Sequence, residues 1–126
     1  MRAVDTNLLV RLITRDDAKQ SAAAEAFISR GAWVSHLVLV ETIWVLDAVY
    51  DLSAGRIANA VELLLDHREL VLQDPEVVSA ALGQFRARPT LGFSDCMVLE
   101  IARRAGHLPL GTLDRQLGKL EGTHRV

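Results

Sequence analysis

A single cysteine, Cys96, stands in this chain of 126 residues, so no internal disulfide can form. The fold must be held by packing, which a chain of this size can supply without a metal or a covalent staple. Proline occurs three times and glycine eight times, with no Pro- or Gly-rich linker and no repeat. The apolar runs are short and broken by charge, so no segment is expected to span a membrane. The N-terminus reads Met1-Arg2-Ala3-Val4-Asp5, with a charge where a signal peptide would place its apolar region. Together these absences lead to the expectation of one domain over residues 1–126 in a reducing cytosol. Aromatic residues make up only 5%. Trp33, Trp44, Phe27 and Phe85 fall at core-like positions, which does not indicate a base-stacking platform. No Gly-rich loop follows the first apolar run, which argues against dinucleotide and P-loop sites. His36, His67, His107 and His124 are scattered without metal-ligand spacing. Cys96 has no nearby base and reads as a packing residue.

What is present is an ordinary globular composition, half apolar and 24% charged, with a net charge of −2. The charge is unevenly spread. The last third carries Arg86, Arg88, Arg103, Arg104, Arg115, Lys119 and Arg125. Such a basic stretch is either a solvated surface or a local seat for a phosphate backbone.

Short β-like runs alternate with helical patterns, which points to an α/β fold with a mainly parallel sheet of four to five strands. Ala3-Val4 begins the first strand, which ends at Asp5. Leu8 to Thr14 and Ala18 to Arg30 read as helices, Trp33 to Ser35 as a strand, and Leu37 to Asp51 as a strongly apolar helix. Ser53 is placed to cap a helix running to His67. Leu70 to Gln73 is a third strand, and Asp74-Pro75 opens a helix that runs to about Arg88. After a loop from Pro89 to Gly92, Ser94 is expected to cap a helix ending near Gly106. Leu108 to Leu113 reads as a fourth strand, Asp114 to Leu120 as a short helix, and Thr123 to Val126 as a last strand.

Four acids stand out against this frame. Asp5 and Asp114 each follow a strand, where open α/β sheets bind ligands; each could equally cap the helix after it. Glu41 lies inside the most apolar helix, with Leu37, Val38, Trp44 and Val45 at helical spacing. The spacing therefore predicts that Glu41 faces the core, compensated by a metal ion or by a buried arginine. Asp95 precedes an apolar stripe of Val98, Leu99, Ile101, Ala102 and Ala105, which places it on or near a buried face. Ser94 is the better-placed cap, which leaves Asp95 for another role. Glu100, by contrast, has Arg103 and Arg104 one turn on and reads as a surface ion pair. Carboxylates gathered in one place repel, and hard cations relieve that repulsion. An oxygen-only donor set suits Mg²⁺ or Mn²⁺ rather than zinc.

The order and setting of these residues resemble the PIN-domain family, in particular its VapC-type toxin branch from toxin–antitoxin pairs. The matching stretches are Val4-Asp5-Thr6-Asn7, Glu41, Phe93-Ser94-Asp95, and Gly111-Thr112-Leu113-Asp114 followed by Leu117. The resemblance covers Arg2 to about Gly122. It implies a three-layer α/β/α fold and a metal-dependent endoribonuclease. Asp5, Glu41, Asp95 and Asp114 would form the acidic cluster, with Thr112 beside it and Thr6 and Asn7 orienting Asp5. It also implies an RNA substrate, a homodimer and a cognate antitoxin. Three other functions were weighed. A phosphatase with Asp5 as nucleophile would want a second Asp where Asn7 stands. A phosphorylation switch would want paired acids at the first strand's end, whereas Asp16-Asp17 follow a helix. A non-catalytic docking module gives no reason to keep acids on apolar faces.

Overall fold

The computed structural model describes all 126 residues. They divide into two compact units, Met1–Pro75 and Glu76–Val126.

The first unit runs β1 (Arg2–Ala3), α1 (Thr6–Thr14), α2 (Ala18–Ile28), β2 (Ala32–Val34), α3 (His36–Ala48), α4 (Ala54–Asp66) and β3 (Leu70–Leu72). The three strands form one parallel sheet in the order β1-β2-β3, with Ala3 opposite Trp33 and Trp33 opposite Val71. Parallel pairing needs a crossover between strands, and each helix pair supplies one. It also forces the chain to leave the sheet at one edge, where Asp5, Ser35 and Gln73 follow the three strands. Side chains close the helix starts there and elsewhere: Asp5 caps α1, Asp17 caps α2, Ser35 caps α3 and Ser53 caps α4. The Gln73 side-chain oxygen adds a hydrogen bond from the His36 amide, 2.9 Å. An Arg11–Asp16–Tyr50 cluster ties α1 to the residues just after α3; Tyr50 Oη donates to Asp16 Oδ2 at 2.7 Å.

In this unit the sequence misjudged one helix face. Leu39, Thr42, Ile43 and Leu46 of α3 are buried, while Leu37 is 70% exposed and Trp44 65% exposed. Glu41 is itself exposed. The helix is apolar on every side, so spacing alone could not say which side packs inward. Trp33, expected in the core, is likewise exposed on the sheet.

The second unit contains α5 (Pro75–Ala87, whose first residue belongs to the first unit), α6 (Phe93–Ala105), β4 (Leu110–Thr112), a single 3₁₀ turn (Leu117–Lys119) and β5 (Thr123–Arg125). β4 and β5 pair in parallel, with Leu110 opposite Thr123 and Thr112 opposite Arg125. The α/β class and the parallel strands are as predicted. The five strands are hydrogen-bonded as a sheet of three and a sheet of two, not as one continuous ladder. Phe85 and Phe93 meet edge to face at 6.0 Å and join α5 to α6. The helix expected from a Ser94 cap begins two residues earlier, with Gly92 as its N-cap and no side-chain cap bond. Its buried face is Phe93, Cys96, Met97, Leu99 and Glu100; Val98 and Ile101 are exposed. Glu100, expected at the surface, is only 5% exposed. The expected final helix is reduced to the 3₁₀ turn.

Leu64 and Leu63 test this assignment of faces. Leu64 is fully buried and its neighbour Leu63 is 59% exposed. Leu64→Ala is expected to cost about 2–5 kcal/mol, and Leu63→Ala no more than about 0.5 kcal/mol. Urea denaturation of the two variants measures the difference; equal losses would overturn the assigned packing face of α4.

Candidate functional site

In the first unit, Asp5 leaves β1 and caps α1: its Oδ1 accepts from the Leu8 amide at 3.0 Å. The cap engages one carboxylate oxygen and leaves Oδ2 available. The next residue, Thr6, donates its hydroxyl to Glu41 Oε1 at 3.0 Å. Thr6 was expected to orient Asp5, but its side chain holds Glu41. This bond crosses from the start of α1 to the second turn of α3, so it brings Glu41 to the same sheet edge as Asp5. Both acids are exposed, as is Asn7. Neither a buried arginine nor a core setting accounts for Glu41.

The second unit holds the other pair. Asp95 lies in the first turn of α6. Phe93, Cys96 and Met97 face inward, and each residue turns the helix by about 100°, which leaves Asp95 at the margin of the buried face and half-buried. Its carboxyl is held above the ordinary range, first by burial and then by the negative charge of Asp114. Asp114 follows β4 and closes the 3₁₀ turn, its Oδ1 accepting from the Leu117 amide at 2.7 Å. Thr112 Oγ1 accepts from the Asp114 amide at 3.0 Å, which fixes the turn that aims this carboxylate. Ser94 is exposed and makes no cap bond. Cys96 is fully buried, and its thiol is pushed up to about 11 by burial and by the charges of Asp95 and Glu100. It stays protonated near neutral pH and is a packing residue.

Within neither unit do three or more His, Cys, Asp or Glu side chains gather as a metal-holding group. Each unit brings two acids together: Asp5 with Glu41 through Thr6, and Asp95 with Asp114 through their charges. The chemistry of the pairs fits a hard divalent cation. All donors are carboxylate oxygens, and Asp95 in the field of Asp114 is a repulsion that a cation relieves. Glu100 is the buried acid that sequence reasoning placed wrongly. Gln84 on α5, one helix away, was its only hint, and spacing along α6 could not reveal it.

The sign of the Asp95 effect on stability can be measured. Its folded pKa lies above its unfolded one, so the folded protein binds the extra proton. Stability therefore falls as pH rises from the ordinary carboxylate range through the raised value, and the full penalty persists above it. Removing the Asp114 charge by Asp114→Asn is expected to lower the Asp95 pKa without returning it to the ordinary value, because burial, the larger cause, remains. Carboxyl NMR titration of both proteins reads this; an unchanged Asp95 pKa would show that the two acids do not share a field.

Comparison with known proteins adds one finding. The PIN domain family model matches residues 2–122, nearly the whole chain and both units. No curated protein and no solved structure matches. PIN domains are in general metal-dependent nucleases. Carboxylates after the first and fourth strands, in the second turn of α3 and in the first turn of α6, in a chain matched from Arg2 to Gly122, belong to a protein of the PIN domain family.

Proposed function

We propose that this chain is an Mg²⁺- or Mn²⁺-dependent endoribonuclease, a single PIN-like domain over residues 1–126, acting in the cytoplasm as the toxin of a toxin–antitoxin pair. The observation that carries this reading is Asp95, half-buried in the field of Asp114, in a family of metal-dependent nucleases. Asp5, Glu41, Asp95 and Asp114 would hold the metal. When bound, such an ion activates water and offsets the charge that builds on a cleaved phosphodiester. The chain's own residues fix its ligands. The Leu8 and Leu117 amides each pin one oxygen of Asp5 and Asp114, Thr6 pins Glu41, and Thr112 sets the turn of Asp114. Asn7 and Ser94, both exposed beside ligand positions, are available to contact water or substrate. Arg88, Arg115, Lys119 and Arg125 are exposed and suit an RNA backbone, whose phosphates bind arginine and lysine without regard to sequence.

Asp5→Asn and Asp95→Asn are each expected to remove most Mg²⁺-dependent cleavage of a total RNA pool while leaving the fold intact, since each deletes a ligand charge at nearly constant shape. Mn²⁺ is expected to raise the melting temperature of the wild type by mass action, and not that of Glu41→Gln/Asp114→Asn. Full cleavage by both single variants, or an equal thermal shift in wild type and double variant, would sink the site. Wild-type protein that docks a partner but cuts no RNA would favour the non-catalytic reading.

The partners follow from exposed apolar surface. Leu37, Trp44 and Val49 of the α3 region and Leu63 of α4 are all more than half exposed, which a second chain would cover. The carboxylates would attract an arginine of an antitoxin, a cation able to stand in for the metal. A homodimer is expected by light scattering on the purified chain. Expression without the neighbouring gene is expected to arrest bacterial growth, and co-expression with it to restore growth. A monomer at high concentration argues against the first partner, and harmless soluble expression of the wild type against the second.

A further inference from the structure

Glu100 is buried near the middle of α6, and Arg103 lies one turn on. Arg103 Nε donates to Glu100 Oε1 at 3.2 Å, and Gln84 of α5 reaches the other oxygen, Oε2, at 3.4 Å. Thus anchored, the guanidinium extends across α6 and donates through NH2 to the backbone oxygen of Glu121 at 2.9 Å. It lies directly over Gly122. A Cβ at that glycine would come within 3.0 Å of Arg103 NH2, and the glycine has φ +92°, a conformation that other residues rarely adopt. A glycine at this position therefore lets the guanidinium lie close against the loop.

The segment held in this way leads to the site. The Gly122 oxygen accepts from the Leu110 amide, the first residue of β4, at 2.8 Å. β5 then pairs with β4 along its length, and the Val126 amide closes on the Thr112 oxygen at 2.9 Å. Thr112 in turn accepts from the Asp114 amide. Asp95 sits on the same helix as Arg103, eight residues earlier and about 12 Å along the axis. One rigid helix thus carries Asp95 at its start and, two turns on, the arm that grips the β4–β5 pair bearing Asp114.

We propose that Arg103, anchored by Glu100, is a positioning residue that fixes Asp114 against Asp95. The proposal rests on the nuclease reading above. Stability alone is a weak reason for such a pair, since Arg103 is more than a third exposed and a solvated ion pair contributes little. Its geometry accounts for the choice of residues. The guanidinium bonds Glu100 through Nε and Glu121 through NH2, a fork that lysine cannot reproduce. Groups that orient metal ligands in this way typically change metal affinity 10- to 100-fold when lost.

The test uses the full chain with Arg103→Lys, Arg103→Met and the milder Glu100→Gln. Amide hydrogen exchange is expected to speed at Leu110 and Val126 in both Arg103 variants, relative to amides of α5. Mn²⁺ affinity, by calorimetry, is expected to fall roughly 10- to 100-fold. RNA cleavage at saturating Mn²⁺ should lose kcat with KM nearly unchanged. Glu100→Gln keeps an acceptor for Arg103 Nε and is expected to retain most of the affinity. Unchanged exchange in the Arg103 variants overturns the proposal. So does faster exchange with wild-type Mn²⁺ affinity, which would make Arg103 a brace with no bearing on the site. A wild type that neither binds Mn²⁺ nor cuts RNA overturns the nuclease reading instead, and does so before any substitution is made.

Discussion

Asp95 is held at the margin of a buried helix face and in the field of Asp114, and the packing of the second unit must sustain both costs. A carboxylate at the margin of a buried helix face already resists ionisation, and a second carboxylate in its field adds to that cost. The helix N-terminus offers some relief to Asp95, since its amides favour negative charge, but not enough to keep its carboxyl in the ordinary range. Structure nonetheless holds both groups in place: Phe93 anchors the start of α6 against Phe85, and Thr112 and the Leu117 amide set the turn of Asp114. Side chains held firmly in an electrostatically unfavourable arrangement would be relieved by a cation.

Capping and ligand roles are compatible in this chain. Asp5 and Asp114 each follow a strand, and the sequence left open whether they cap a helix or face a ligand. Asp5 does cap α1 through Oδ1, and Asp114 Oδ1 closes the turn that ends at Leu117. A cap engages one oxygen, and an ionised carboxylate has further acceptor sites. The amide bond also fixes the rotamer, so the remaining oxygen is presented in one direction.

Much of the fold was legible because its signals are local. Ser53 marks a helix start by side-chain chemistry that acts within three residues, and the apolar run Leu70 to Leu72 marks a strand. The failures share a different cause. In α3 apolar residues surround the axis, so periodicity carried no information about which side packs, and Glu41 was assigned inward while Leu37 and Trp44 lie outward. In α6 the pattern from Val98 to Ala105 suggested one face, but packing from Phe85 selected another. The start of that helix was missed because Gly92 caps it without a side chain. The grouping of five strands into sheets of three and two depends on non-local pairing, which no window along the chain contains.

Glu100 and Arg103 show where such reading ends and why it matters for the site. Glu and Arg three apart on a helix usually form a solvated pair of small energetic consequence, and nothing in that spacing shows that Glu100 is buried. What distinguishes this pair is the second partner of each group. Gln84 comes to Glu100 from another helix, and the Glu121 oxygen comes to Arg103 from a loop 18 residues on. A pair linked to three elements acts as a joint, while a pair linked to one is surface decoration. At Gly122 a side chain would meet the guanidinium. The four acids stand out along the chain by residue type and position; the groups that hold one of them emerge only from contacts between distant segments. That asymmetry is physical. A ligand acts through its own chemistry, which a residue type reveals, whereas positioning acts through the partners a residue reaches, which only the folded chain supplies.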